Sequence, residues 1–218
     1  MAQVDFQECQ LTLKLVYYGP PLSGKTTNLQ YIHSQVEEQN RGRLMTLDTR
    51  DDRTLFFDLL PIFFRMSKLS FRVKVYTVPG QPLHEATRRV VLRGADGVAF
   101  IADSARDQIS ANNDSFDDLI RNLEAVGLSP DQLPIVVQYN KRDLPDAISD
   151  AELDAIAAAN REPVFRASAI TGDGVFQTLL GLLERTWEAL NREVALEQGF
   201  GISRDEFVAA IHEHVGMA

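Results

Sequence analysis

LTLKLVYYGPPLSGKT, residues 11–26, decides the fold. Its first half, Leu11–Tyr18, is dense in aliphatic and aromatic residues, as a buried strand requires, and runs straight into a loop bounded by Gly19 and Thr26. Beyond the loop, Leu29, Ile32 and Val36 recur at helical spacing between Thr26 and Gln39, and Gly42 reads as the stop of that helix. The loop matches G-x-x-x-x-G-K-[ST], and a strand before it with a helix after it separates a phosphate loop from a chance match. Backbone N–H groups at a helix start, with the positive end of the helix dipole, form an anion cradle. An ordinary glycine turn would leave Lys25 at a helix N-terminus, where the dipole disfavours a cation. The expected phosphate-binding set is therefore Gly19, Leu22, Ser23, Gly24, Lys25, Thr26 and Thr27, with Lys25 reaching β and γ oxygens and Thr26 ligating Mg2+.

Working outward, FRVKVYTV (71–78), GVAFIAD (97–103), LPIVVQYN (133–140) and PVFRAS (163–168) read as further strands. Helical patterns such as DSFDDLIRNLEAVG (114–127) and VFQTLLGLLERTWEAL (175–190) separate them. Strands alternating with amphipathic helices predict a doubly wound α/β fold with a mostly parallel sheet covered on both faces. EQGFGIS (197–203) breaks the last long helix, which divides the chain into a nucleotide-binding domain over 1–196 and a short helical extension over 197–218. In the extension Ser203 and Glu206 form a capping-box pattern, and Phe207, Ile211 and Val215 share one helical face.

The 218 residues are 44% hydrophobic, enough for a substantial core. A net charge of −9 argues against nucleic acid and anionic lipid, which are held by clustered Lys and Arg. Cys9 stands alone, so no internal disulfide can form, and a reducing cytoplasm is expected. The N-terminus lacks a basic, then apolar, leader pattern, no stretch reaches membrane-spanning length, and VGMA offers no prenylation cysteine; a soluble protein without a lipid anchor is expected. His212 and His214, two apart on a helix, point away from each other and do not suggest a metal pair.

Two further segments complete a nucleotide site. NKRD, Asn140–Asp143, falls at the C-terminal end of a predicted strand, the edge where open α/β sheets bind ligands. The Asp143 carboxylate can accept from the two ring-edge donors of guanine, Asn140 can bond the opposite edge, and the Lys141 stem can lie over the ring. Adenine would set an acceptor against that carboxylate. With ASA at 167–169, Ser168 and the Ala169 N–H join this corner, the latter as donor to the base carbonyl. In TVPGQ (77–81), Gly80 lets a backbone N–H approach a γ-phosphate and Gln81 can orient an attacking water.

GPPLSGKT, TVPGQ, NKRD and SA together resemble the Ras-like small GTPase superfamily. VYYGPPLSGKTTNLQYI, DDRTLFFDLLP, YTVPGQ and QYNKRDLP resemble, more narrowly, the bacterial MglA GTPases of gliding motility and cell polarity, over roughly residues 10–190. Thr77 reproduces a family feature, a threonine where most Ras-like proteins carry an aspartate of the magnesium shell. The resemblance implies GTP and GDP as nucleotides, Mg2+ as cofactor, and Thr54 as the switch threonine that ligates the metal. From the residues alone Asp52 and Arg53 read as a surface ion pair; the resemblance makes Arg53 an arginine finger, catalytic alongside Gln81 and Lys25. It also implies a homodimeric roadblock-fold activator of the MglB kind and other polarity or motility effectors, acting on a free monomer.

Leu55–Leu69 packs four phenylalanines into fifteen residues without clean alternation, which reads as core or as an apolar partner surface. Pro21 stands where Ras-like loops carry glycine; it deletes a donor and adds bulk where Gln81 or Arg53 must enter, so hydrolysis is expected to be slowed while binding survives. Three readings follow: a GTP-hydrolysing switch, a catalytically impaired GTP-loaded scaffold, and a P-loop small-molecule kinase, against which NKRD speaks.

Overall fold

A computed structural model of the chain describes residues 2–5, 7–47, 57–66 and 69–215. Arg53 and Thr54 lie outside the described residues. The centre is β2 (Gln10–Tyr18), whose side chains from Val16 to Tyr18 are buried whichever face they point to, as expected of a strand covered on both sides. Parallel to it run β5 (Leu69–Thr77) on one flank and β6 (Gly97–Asp103), β7 (Ile135–Asn140) and β8 (Val164–Arg166) on the other. Antiparallel strands β4 (Phe57–Met66) and β3 (Met45–Leu47) extend the β5 flank, and β1 (Gln3–Asp5) pairs with the start of β2. The strand order is β3-β4-β5-β2-β6-β7-β8.

Among the described residues seven α-helices follow in chain order: α1 (Lys25–Gln35), α2 (Glu85–Leu92), α3 (Ile109–Ala125), α4 (Asp150–Ala159), α5 (Val175–Val194), α6 (Leu196–Phe200) and α7 (Arg204–Val215). Leu11, Leu13, Leu15 and Tyr17 of β2 pack with Leu29 and Ile32 of α1 and with the apolar stripe of α5. Val16 and Tyr18 point to the opposite face, where Val91 and Leu92 of α2 and Leu119 and Leu123 of α3 cover them. The doubly wound expectation therefore holds. Among the described residues no helix is long and apolar enough to cross a membrane.

Three local expectations are corrected. The helix after the phosphate loop ends at Gln35, where Val36 turns to extended backbone and closes the last turn through its N–H to Ile32 O. Gly42 is not its stop: the Gly42 N–H donates to Pro61 O at 2.8 Å, so it belongs to the margin of the sheet. The phenylalanine-rich run is a strictly alternating strand. Asp58, Leu60, Ile62, Phe64 and Met66 point inward, while the opposite face carries Phe57, Leu59, Pro61 and Phe63, so two apolar faces hide the period of two. Pro61 is tolerated because its nitrogen shares the side of its carbonyl, toward Gly42 and away from the β5 ladder.

The C-terminal segment docks on the same face as α1 and α5. Glu206 N–H bonds Ser203 Oγ at 3.2 Å and Ser203 N–H bonds Glu206 Oε2 at 2.9 Å, the expected capping box. It launches α7 so that Phe207 and Ile211 are buried. The Phe207 ring lies 5.2 Å from that of Phe71 and 5.8 Å from that of Phe64, and these two stack at 4.9 Å. Asn40 Nδ2 holds His214 O at 3.1 Å, and Arg204 pairs with Glu184 of α5. His214 Nδ1 contacts Ala210 O at 2.8 Å, and among the described residues no cluster of His, Cys, Asp or Glu is arranged to hold a metal.

Candidate functional site

The loops leaving the C-terminal ends of β2, β5 and β7 surround two neighbouring cavities, of about 710 and 230 Å³, with Leu22 in the wall of both. This is the edge at which open α/β sheets place ligands. The larger cavity lies between Gly19–Thr26 and the 77–81 loop; the smaller lies between Gly24, Asn140–Leu144 and Ala169.

The loop conformation follows from its glycines. Gly24 caps α1 with φ of +96°, and a Cβ there would sit 2.1 Å from Asn140 Nδ2, so glycine is required twice over. Leu22, also in the left-handed region, is 89% exposed, which lifts a large apolar side chain over the cavity mouth. The Ser23 hydroxyl is fully buried and meets no hydrogen-bond partner among the described residues. An orphaned donor at that depth costs about 1–3 kcal/mol and fits a group that takes it up on binding. Lys25 is buried, and its Nζ donates to Gly19 O at 2.9 Å and Pro20 O at 2.6 Å, within the loop. Burial first, and then the nearby Arg88 guanidinium, pull its pKa down to about 8 against the opposing pull of Asp58. An ammonium so crowded is poised for an anion. Thr27 is partly exposed at the start of α1 and lines the smaller cavity.

At the inner end of the larger cavity stands a residue that the sequence reading missed. Asp58, buried on the inward face of β4, accepts from Thr26 Oγ1 at 2.7 Å and Thr77 Oγ1 at 3.0 Å through Oδ2, and from Thr46 Oγ1 at 2.8 Å through Oδ1. Its own N–H is 2.9 Å from Thr77 Oγ1. Three hydroxyls and one carboxylate make a hard oxygen set that fits Mg2+, which is held through one or two carboxylates plus substrate phosphates. Thr77, the residue found in place of an aspartate, thus touches a carboxylate that enters from β4 instead. The available signal was an acid inside an otherwise apolar run.

Across the cavity, Gly80 lies against the phosphate loop: a Cβ would come within 2.4 Å of Pro21 N and 2.5 Å of Pro20 C. Gln81 is exposed, and its carbonyl accepts from Arg88 Nη1 at 2.5 Å.

In the smaller cavity Asn140 bridges two loops. Its Nδ2 donates to Ser23 O at 2.7 Å and its Oδ1 accepts from Ala169 N–H at 2.8 Å. The Ala169 N–H, expected to face a base carbonyl, is therefore directed to Asn140. Ser168 Oγ donates to Asp143 Oδ1 at 2.6 Å, which fixes one carboxylate oxygen beside the cavity. Lys141, with φ of +66°, pairs with the buried Asp103 at 2.5 Å, so its stem is drawn along the cavity wall. The expected residues within the described segments thus lie in the walls of these two cavities or, as with Gly19, Ser23 and Ser168, directly behind them, at one edge of the sheet.

No protein-family model matches the chain. Over 180 residues, 82% of this chain and 92% of the relative, it is 43% identical to the mutual gliding-motility protein MglA of Myxococcus xanthus (strain DK1622). With a mostly parallel sheet, a phosphate loop after β2 and an asparagine-aspartate corner after β7, identity of that extent means that the chain belongs to the MglA family of Ras-like small GTPases.

Proposed function

We propose that this protein is a cytoplasmic molecular switch of gliding motility and cell polarity that binds GTP with Mg2+, hydrolyses it slowly to GDP, and is read by partners in its GTP state. The bridge made by Asn140 from Ser23 to Ala169 carries the reading, because it ties a base-recognition corner to an anion loop at one sheet edge. In this reading Asp143 accepts from the guanine ring edge, Asn140 and Ala169 frame the other edge, and Lys141 covers the ring. Lys25, Ser23 and the Gly24–Thr27 amides hold phosphate oxygens, and the Gly80 N–H faces the terminal phosphoryl. Gln81 orients water, and Arg53 with Lys25 offsets charge that develops in the transition state. Thr26, Thr54 and Asp58 would hold Mg2+, which when bound neutralises charge on phosphate oxygens. Residues 1–196 constitute the switch and 197–218 a short helical extension, of which α7 packs on β4 and α5.

A roadblock-fold homodimer of the MglB kind is the proposed activator, acting on a monomer, with polarity or motility effectors downstream. Analysis of nucleotide extracted from the purified protein tests base and phosphate count together; guanylates are expected, and equal ATP and GTP binding would overturn the reading. Single-turnover phosphate release, with and without the activator dimer, tests hydrolysis. Gln81→Leu and Arg53→Ala should each retain GTP affinity and abolish stimulated release. The second reading, a GTP-loaded scaffold, is favoured by one observation: Gly80 is packed against the Pro20–Pro21 backbone, where proline supplies no N–H. Absence of release even with activator would select it.

A further inference from the structure

We propose that Arg88, anchored by Asp118, positions the main chain of the 79–81 loop for hydrolysis; this rests on the reading of Gln81 as the residue that orients water. Arg88 lies on α2 and is 4% exposed. Its Nη1 donates to Gln81 O at 2.5 Å and lies 3.5 Å from Pro79 O, so one nitrogen spans the two carbonyls that flank Gly80. Its Nε sits 2.9 Å from Asp118 Oδ2 on α3. The same oxygen accepts from Tyr18 Oη at 2.5 Å and from Asn122 Nδ2 at 3.1 Å. Tyr18 is the last residue of β2 and immediately precedes Gly19. A path of polar contacts, hydrogen bonds on either side of the Arg88–Asp118 ion pair, therefore runs from the strand that launches the phosphate loop, through α3 and α2, to the carbonyl of Gln81.

The arrangement is not that of an ion pair built for stability alone. Nη1 goes to the loop carbonyls while Nε stands 2.9 Å from the carboxylate as an ion-pair contact, so one rigid planar group reaches partners on two different elements, a span that the compact ammonium of lysine does not reproduce. Gly80 contributes a peptide hinge with no side chain to restrain it, so the flanking carbonyls are where restraint can be applied. Loss of the restraint lets the Gln81 backbone wander, and misplacement by about 1 Å can cost on the order of 10²-fold in rate.

The test uses the full chain with Arg88→Lys and Asp118→Asn, each also combined with Gln81→Leu. Single-turnover phosphate release under saturating activator is expected to fall by about 10-fold or more in each single variant. Affinities for GTP and GDP, from fluorescent-nucleotide titration, should stay within about threefold of the parent, as expected when a group acts in the transition state alone. In the Gln81→Leu background neither substitution should lower release further. Unchanged release in both single variants overturns the proposal. So does a loss of affinity and melting temperature in step with rate, which would mark a purely structural ion pair. If Arg88→Lys does not fold, Asp118→Asn decides by the same criteria. Full release by Gln81→Leu itself would remove the underlying reading, and the proposal with it; an inactive Gln81→Leu beside a fully active Arg88→Lys would remove only the proposal.

Discussion

Asp58→Asn separates the charge of the buried carboxylate from its shape. The amide keeps the side-chain volume and one acceptor, and the Thr26, Thr46 and Thr77 hydroxyls can rotate to accept from the new NH2, so the fold should survive at a cost of about 1–2 kcal/mol. The metal has more to lose. With one carboxylate among the described donors, neutralising it should weaken Mg2+ binding by about 10- to 100-fold, or about 1.4–2.8 kcal/mol. Asp58 also supports the charge on Lys25, whose pKa of about 8 would fall further without it. The measurement therefore belongs near pH 6, well below that value, so that a change in Lys25 protonation contributes as little as possible. Phosphate release is titrated against buffered Mg2+ at saturating GTP, and GTP affinity is measured separately in chelator. The half-saturating Mg2+ should rise by the stated factor while metal-free affinity changes by less than about threefold. An unchanged Mg2+ midpoint, or an equal loss with and without metal, would refute the reasoning.

Asp143→Asn should reduce GTP affinity by about 10²-fold, because two ring donors lose their acceptor, and should improve binding of xanthosine triphosphate, which offers a carbonyl at that edge; competition titration reads both. Lys25 is depressed in the folded state, so its burial costs least once it is neutral, and the stability of the nucleotide-free protein should rise as pH increases through about 8 toward the ordinary lysine value of 10.5. Phosphate binding restores the proton, so GTP affinity should be flat below pH 8, decline above it, and be accompanied by proton uptake in calorimetry across buffers of different ionisation enthalpy. Phe207→Ala should destabilise the chain by about 3–5 kcal/mol in denaturant unfolding, since the ring is fully buried against Phe64 and Phe71.

What could be read in advance was local. The strand, loop and helix at 11–35, and the NKRD and ASA corners, keep their determinants within a few residues, so motif spacing sufficed to place them. Asp58 could not be placed that way. Its role depends on pairing of β4 with β5 and β3, and the strand was camouflaged by phenylalanines on both faces and by Pro61. The link from Arg88 through Asp118 to Tyr18 joins residues 30 and 100 positions apart, and each is an unremarkable member of its own element until the helices are packed. Gly42 shows the opposite case: it carries a stop signal, but Val36 already ends the helix by turning extended, and the glycine serves a contact with Pro61.

Pro61 also governs how the molecule behaves at high concentration. Beyond the three residues of β3, the outer margin of β4 offers an arriving strand a proline with no donor and a carbonyl already engaged by Gly42. Intermolecular ladders need a run of free donors and acceptors, and the margin interrupts that run midway. A phenylalanine-rich strand is thereby a poor template for a further strand along its outer margin.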